Sequence, residues 1–590
     1  MQPPSPSPAL PSGPAPSRLP YMVAAAVAAL PGVTLGLAMN RELGSGGLLN
    51  PDSAMRMARL QDIVQAKAPL HAVMRDGSGL GTVLHWSHLL DSLLLLLAAP
   101  FVPFLGRDAA LHGAALLAGP LGLAGLGVAL CFVAAAFAPR GSAWVEAAAA
   151  GTAPAVTPYG LVRVVHHHVL LAACVAMACG WALRLVLGRA GARGGLALGA
   201  WAGVGLWLSP ETLPFSLMAL GGVWVAWVCL PRGEPEGERG LGLGRGLAAA
   251  GLGFAVVCAS AWLVDPPAAG WRAVEPDRIS LPFVLLACGS AVAGLVAWLV
   301  RGRVAAVGCG VVLAGLWLVA FPQVLRGTEA LMPRAVVEAM FGGIEEMAPV
   351  RGAWDAVEML GGGVFAAVVS GLVAWRRRDL PSAYVVACAV GLVALGALHQ
   401  RFATYGAVAG ACLLPLVLRW ISESRVAAGL QSLGRVGVAL PLILGPMLLP
   451  AAAKAGAESG VSCSVAGAVE LLRPHPGAVV LSGVNEVPEL LYRTRVRTVG
   501  SLYHRNPDGF MRLRAAWRSV PGDAAVPGPE VVATGATLVL ACPGAARSSL
   551  VEGLPHSTLL DRVNAGRPPR WLHRVAGAGP GGMVLYAVEP

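Results

Sequence analysis

Apolar stretches of about 20 residues alternate with short polar breaks along most of the chain. They lie at 21–39, 87–105, 112–137, 165–187, 194–208, 214–231, 246–264, 280–300, 303–321, 357–375, 381–398, 402–420 and 434–452. That is about the length a helix needs to cross a bilayer, so the pattern predicts about thirteen transmembrane helices. Arginine clusters in alternate breaks: Arg107; Arg189 and Arg193; Arg232 to Arg245; Arg301 and Arg303; Arg376 to Arg378; and Arg419 to Arg435. Short basic connections stay in the cytoplasm. The N-terminus is therefore expected inside, and an odd number of spans puts the C-terminus outside. The connections assigned to the outer side include three long ones, 40–86, 139–165 and 322–355. Loops of that length are usually functional or structured.

After residue 453 the pattern changes. Short β-type runs at 478–481, 537–542 and 583–588 alternate with helix-like stretches at 466–472 and 507–519. The expected fold is a polytopic α-helical membrane protein with a small C-terminal α/β extracytoplasmic domain. A disordered cytoplasmic segment (1–20, rich in Pro and Ser), a membrane body (21–452) and the outer domain (453–590) follow in order. The block 21–39 is too long for the apolar core of a signal peptide, and no small-residue cleavage site follows it, so it reads as a retained first helix.

Composition agrees. The 590 residues are 56% hydrophobic and 13% charged, against about 25% charged in soluble chains. The net charge of +11 does not indicate a nucleic-acid partner, because the arginines sit in the short connections where topology requires them. Scarce lysine beside abundant Ala, Gly and Arg points to a bacterial inner membrane. Nine of the eleven cysteines, Cys131 to Cys412, fall in apolar blocks. Cys463 and Cys542 lie in the outer domain, where a disulfide and two free thiols both remain open readings.

Ionisable groups near membrane depth are costly and mark candidate sites. In the first outer loop Asp52 opens an amphipathic stretch with Arg56 and Arg59; the plainer reading is an N-cap aspartate. That loop ends in His85-Trp86-Ser87-His88 with Asp91, which could equally be interface anchors. His166-His167-His168 opens the fourth span. Imidazole is a common metal ligand, but helical neighbours point about 100° apart, which would let at most two of them face one ion. Glu211 and Glu346 lie in outer connections, where both could simply be solvated. Arg401 is fixed between two spans by almost no loop, where it could merely snorkel to headgroups.

The order of these groups resembles the GT-C glycosyltransferase superfamily, most closely the oligosaccharyltransferase catalytic subunit, over nearly the whole chain. The resemblance makes Asp52 the first-loop aspartate that binds a divalent metal. It makes Gly343-Ile344-Glu345-Glu346 the Thr-Ile-x-Glu loop, with Glu346 touching the acceptor, and Arg401 the arginine on the lipid-linked phosphate, with His167 and Arg56 as further phosphate-binding candidates. A bacterial branch of the superfamily is similar in the patterns His-Trp-Ser-Arg-x-x-Asp, Asp-His-His, Glu-x-x-Pro-Phe and Tyr-His-Arg-Asn. Here these are His85 to Asp91, His166 to His168, Glu211 to Phe215, and Tyr503-His504-Arg505-Asn506. Two positions depart from the branch: His88 replaces its arginine, and His166 replaces its acidic metal ligand. The Trp-Trp-Asp-Tyr-Gly motif that reads an asparagine acceptor is absent.

The resemblance implies transfer of a sugar or glycan from a polyprenyl-(di)phosphate donor on the outer face of the inner membrane. The acceptor is left open among protein, lipid and glycan. Asp52 or Glu346 would serve as base, and Asp52, His166 and His167 would hold Mg or Mn. No glycine-rich nucleotide loop is present for a nucleotide-sugar donor. The competing class is a transporter or non-catalytic scaffold; no internal repeat of spans supports transport.

Overall fold

The computed structural model describes residues 18–38, 47–65, 70–137, 143–231, 237–300, 302–342, 344–454, 463–521, 525–545, 547–577 and 582–589. Most of the segment 1–20 lies outside these residues, as do Arg232, Arg301 and Gly343. Each of the thirteen apolar blocks falls on helix. Helix α1 (Leu19–Ala38) is followed by a long connection that holds α2 (Pro51–Val64), a small hairpin of β1 (Ala72–Val73) and β2 (Thr82–Val83), α3 (His88–Ala98) and α4 (Val102–Leu105). Then come α5 (Arg107–Ala134), α6 (Ala143–Gly151), α7 (His168–Val186), α8 (Ala192–Leu208), α9 (Leu213–Val228), α10 (Glu238–Val264), α11 (Leu281–Leu299) and α12 (Arg303–Ala320). A short helix α13 (Arg334–Phe341) precedes α14 (Ala353–Arg377), α15 (Leu380–Leu398), α16 (Ala403–Ser422) and α17 (Ala428–Lys454).

Among the described residues, 12 helices are long and apolar enough to cross a membrane. They include His88–Leu105, but the contacts at its two ends correct the expectation that this block crosses. At its start the His88 amide donates to Asp265 Oδ2 at 2.8 Å. Just past its end, Arg107 donates to the Val64 carbonyl at 3.3 Å and His112 meets the Tyr492 hydroxyl of the C-terminal domain at 2.9 Å. Both ends therefore sit on the face that carries that domain. A break at Pro100 and Pro103 turns the chain, and Leu90, Leu94 and Ala98 pack on the first two turns of α5.

Helix α5 consequently runs away from the domain face. Its far end is fixed by arginines: Arg184 donates to the Phe132 carbonyl, Arg189 to that of Ala136 and Arg419 to that of Phe137, at 2.5, 2.5 and 2.9 Å. The chain then returns through α6 and the irregular segment 152–167. Ala147 packs with Cys131 and Ala24 deep in the body, and the Ala155 carbonyl accepts from Thr404 at 2.6 Å near the domain face. Nine residues of helix plus a run of turns make this pass, so no continuous apolar block marked it. Arg107 therefore lies at the domain face and Phe137, just before the connection 139–165, at the opposite one. The short helix α8, 17 residues long, makes a full pass, and the parity of the later spans is unchanged.

Close helix approach rests on glycine. On α8, a Cβ at Gly199 would overlap the Ala250 carbonyl of α10, and one at Gly195 the Gly246 carbonyl. Small residues let backbones pack where lipid gives no hydrophobic drive. The C-terminal domain contains α18 (Val465–Leu472), β3 (Val479–Leu481), α19 (Val487–Arg493), β4 (Arg497–Thr498), α20 (Pro507–Arg518), α21 (Pro529–Val532), β5 (Leu538–Ala541), α22 (Leu559–Asn564), β6 (Leu572–Gly577) and β7 (Val584–Val588). Its sheet has the order β4-β3-β5-β7-β6, parallel among β4, β3 and β5 and antiparallel at β7 and β6. Cys463 and Cys542 form a disulfide.

The domain is docked on the first connection by a buried carboxylate. Asp76 accepts from Thr82, Thr498 and Ser501 at 2.5, 2.9 and 2.5 Å. Helix α13 adds Met340 to the domain core around Phe510 and Trp517.

Candidate active site

The site lies where the connections of the domain face meet the C-terminal domain. Asn50, not Asp52, caps α2: its side chain accepts from the Ser53 amide at 2.8 Å. Pro51 fills the first helical position, which suits its missing N–H. The Asp52 carboxylate is thereby freed from capping. Its Oδ1 accepts from the Tyr503 hydroxyl at 2.9 Å, and its Oδ2 lies 3.2 Å from His166 Nε2. Burial pushes this carboxyl up, but His166 and Tyr503 outweigh that and hold it at about 2. It remains open on one side, with 37% of its side-chain surface exposed.

The three histidines sit side by side, contrary to the expectation of a 100° fan. Helix α7 begins at His168 with His167 as its N-cap, so the triplet is not three consecutive positions within one helix. The rings stack with centroids 4.4–4.8 Å apart. Ser53 supports them by accepting the Val165 amide at 2.7 Å. His166 Nδ1 and His168 Nδ1 are 2.6 Å apart, so one proton is shared between them. Burial, then the neighbouring imidazole charges, keeps His166 below and His167 well below the ordinary histidine range. Neutral rings are ligand-competent.

His168 Nε2 lies 3.2 Å from Glu211 Oε1, and Glu211 pairs with Arg401. Arg401 Nη2 also lies 3.3 Å from His168 Nε2, and Nη1 lies 3.3 Å from Met347 Sδ. Tyr159 stacks on His168 and donates to Glu346 Oε2 at 3.1 Å. A continuous line of polar groups thus runs Asp52–His166–His168–Glu211–Arg401, with Glu346 joined through Tyr159. One buried atom on it, Arg401 Nε, lacks a hydrogen-bond partner among the described residues.

Arg56 is placed behind this line. It is 3% exposed, bonds Asp91 at 2.8 Å and lies over the Trp86 ring. Arg59 takes the other oxygen of Asp91 at 2.5 Å. Next to Asp52, on the side of the domain, His504 Nε2 bonds Asp277 at 2.6 Å and stacks near His85. Arg505 bonds Asp277 and Glu275. Tyr159, Asp265, Asp277 and Arg278 were not singled out in the sequence. Asp265, Asp277 and Arg278 lie in a short connection, 265–280, that carries no motif.

A divalent ion fits the histidine cluster. One ligand atom from each of His166, His167 and His168 lies within 4.8 Å of the others, with Asp52 alongside. Two imidazoles and a carboxylate are a common donor set for first-row metals.

No protein-family model matches the chain, and no curated protein sequence is similar to it. Solved structures do match in fold. The archaeal oligosaccharyltransferase AglB from Archaeoglobus fulgidus, in complex with an inhibitory peptide and a dolichol-phosphate, aligns at a TM-score of 0.65 and 13% identity over 89% of this chain and 69% of that one. The same enzyme in complex with Zn and sulfate aligns at 0.62 and 13% over 97% and 73%. This chain shares the fold of these oligosaccharyltransferase structures.

Proposed function

We propose that the chain transfers a sugar or glycan from a polyprenyl-(di)phosphate donor to an acceptor at the domain face of the membrane, and that this face lies outside the bacterial inner membrane. The carrying observation is the line from Asp52 to Arg401, which joins a metal-competent cluster to an arginine at membrane level. The neighbour AglB is solved with a dolichol-phosphate, which supports a lipid-linked donor here. The disulfide supports an oxidising compartment for the domain. With Arg107 moved to the domain face, the opposite face still collects Arg189, Arg193, Arg303, Arg376 to Arg378, Arg419, Arg425 and Arg435, as a cytoplasmic side should.

The donor's tail has a place. An apolar groove of about 1070 Å³ opens among α9, α11, α12 and α15, walled by Trp224, Leu286, Trp317 and Tyr384. Glu211 immediately precedes α9 and Arg401 immediately follows α15. A lipid in the groove would carry its phosphate towards those two residues.

On this reading Arg401 releases Glu211 and turns its planar guanidinium to the donor phosphate. Asp52, His166 and His167 would hold a divalent ion, whose charge would stabilise the negative charge growing on the leaving phosphate. Glu346, steadied by Tyr159, or Asp52 accepts the proton of the acceptor nucleophile. Arg56 and Asp91 hold α2 in place. Native mass spectrometry of the purified protein with undecaprenyl phosphate tests the donor half. The wild type should retain the lipid and Arg401→Ala should lose it. Equal retention by both would remove Arg401 from the donor site.

A further inference from the structure

Two other clusters of metal-ligating side chains flank the line just described, and they differ in a decisive way. His71, His88 and Asp265 come together, but Arg278 donates directly to His71 Nδ1 at 2.8 Å and pairs with Asp265. A guanidinium already occupies the place a cation would take. In the second cluster, His85, Asp277 and His504 bring one ligand atom each within 4.8 Å of the others. There, Arg505 bonds only the carboxylates, at 2.5 and 2.8 Å on Asp277 and 2.7 Å on Glu275. Among the described residues, Arg505 makes no hydrogen bond to either imidazole.

The three residues come from separate parts of the chain: the linker between β2 and α3, the connection from α10 to α11, and the C-terminal domain. His504 and Asp277 are 7% exposed each. The His504–Asp277 bond accounts for one nitrogen of His504. His85 differs: among the described residues its buried Nδ1 has no hydrogen-bond partner, while its ring lies 4.5 Å from that of His504. A buried imidazole nitrogen left unpaired is costly.

The charges are suitable as well. Asp277 and Glu275 present two carboxylates to the single guanidinium of Arg505 beside the two imidazoles. Two imidazoles and a carboxylate, with a carboxylate further fixed by an arginine, suit zinc or a similar first-row ion and do not suit Mg or Ca.

We propose that His85, His504 and Asp277 form a second metal site, distinct from the one at Asp52 and His166. A zinc-class divalent ion bound there ties the C-terminal domain to the first connection and to the α10–α11 connection. A fourth coordination position is left to water or an acceptor group. The ion takes His85 Nδ1, one ring nitrogen of His504 and one oxygen of Asp277.

The test is zinc stoichiometry and melting of the full-length, tag-free protein in detergent, after chelator treatment and reloading with Zn²⁺. Wild type should bind one equivalent more than His85→Ala, and Asp277→Asn, which keeps the carboxylate's shape and an acceptor for His504, should lose the same equivalent. Zinc should raise the melting temperature of wild type more than that of either variant. Asp52→Asn should leave this equivalent in place while losing the other. If Asp52→Asn loses none and His85→Ala loses one, the metal assigned at Asp52 is wrong and the present site stands. If His85→Ala and Asp277→Asn both keep the wild-type stoichiometry and zinc-dependent melting shift, the second site is overturned.

Discussion

Arg401 and Glu211, 190 residues apart in sequence, form an ion pair at the domain-face ends of α15 and α9, and His168 lies within 3.3 Å of the same guanidinium nitrogen. Arg401 is thus held by a carboxylate when no anion is present and has a buried Nε left over. An arginine that only snorkelled to headgroups would tolerate lysine. A phosphate ligand would not, because lysine lacks the planar fork. Arg401→Lys is expected to insert and fold normally yet lose about 2–4 kcal/mol of transition-state stabilisation, read as transfer rate at equal expression. Wild-type rates in Arg401→Lys and Arg401→Ala would leave only the headgroup role.

The proposed metal at Asp52 is held largely by imidazoles, where an acidic residue was expected at position 166. His166→Asp should therefore keep metal binding but move preference from Mn or Zn towards Mg by about 10-fold, since harder oxygen donors suit Mg. Competition between the ions, followed by activity or fluorescence, measures it. An unchanged preference would place the ion elsewhere.

Its pH dependence follows from the same residues. Metal binds neutral imidazole and ionised carboxylate. His166 and His167 are held below the ordinary range and Asp52 at about 2, so the ligand-competent forms persist to lower pH than free histidine would allow. Metal affinity should be flat on descending through about 6.5, the ordinary histidine value, and fall only below it. A midpoint at or above that value would contradict the burial of these rings.

Asp91 pairs with both Arg56 and Arg59 in a buried setting. Asp91→Ala should cost about 3–5 kcal/mol, because two buried guanidinium groups lose their partner. A lowered melting temperature in detergent, together with loss of α2 protection in hydrogen exchange, is the expected outcome. A variant as stable as wild type would show that α2 does not depend on this clamp.

The reassigned second pass gives a topological prediction. A cysteine at position 107, which is exposed, should react with an impermeant maleimide from the same side as one at position 495 in the C-terminal domain. A cysteine at 193 should not react from that side. Reporter fusions after Arg377 and after Lys454 should report cytoplasm and exterior respectively. Labelling of 107 only together with 193 would restore His88–Leu105 as a true span.

The thirteen apolar blocks were legible because hydrocarbon demands length and hydrophobicity, which sequence shows directly. Direction was not. His88–Leu105 satisfies both demands, and only its Pro100 break and the contacts of Arg107 and His112 show that it turns back. The pass through α6 is half irregular and carries no signal of its own. Asp52, His166, Glu211 and Arg401 stood out as ionisable groups beside apolar blocks, and the structure brings them into one line. The roles of Asn50 and the untwisted histidine triplet depend on where α2 and α7 begin, which a single residue decides. Tyr159 and Asp277 had no motif around them, and their partners lie 187 and 227 or more residues away.

The most direct measurement of the central claim is mass spectrometry of polyprenyl-linked saccharides in cells lacking this protein, complemented with wild type, Asp52→Asn or Arg401→Lys. A lipid-linked saccharide should accumulate in the deletion strain, disappear with wild type and persist with either variant. An identical lipid-linked pool in all four strains, with the variants expressed and inserted as wild type, would contradict glycosyl transfer from such a donor.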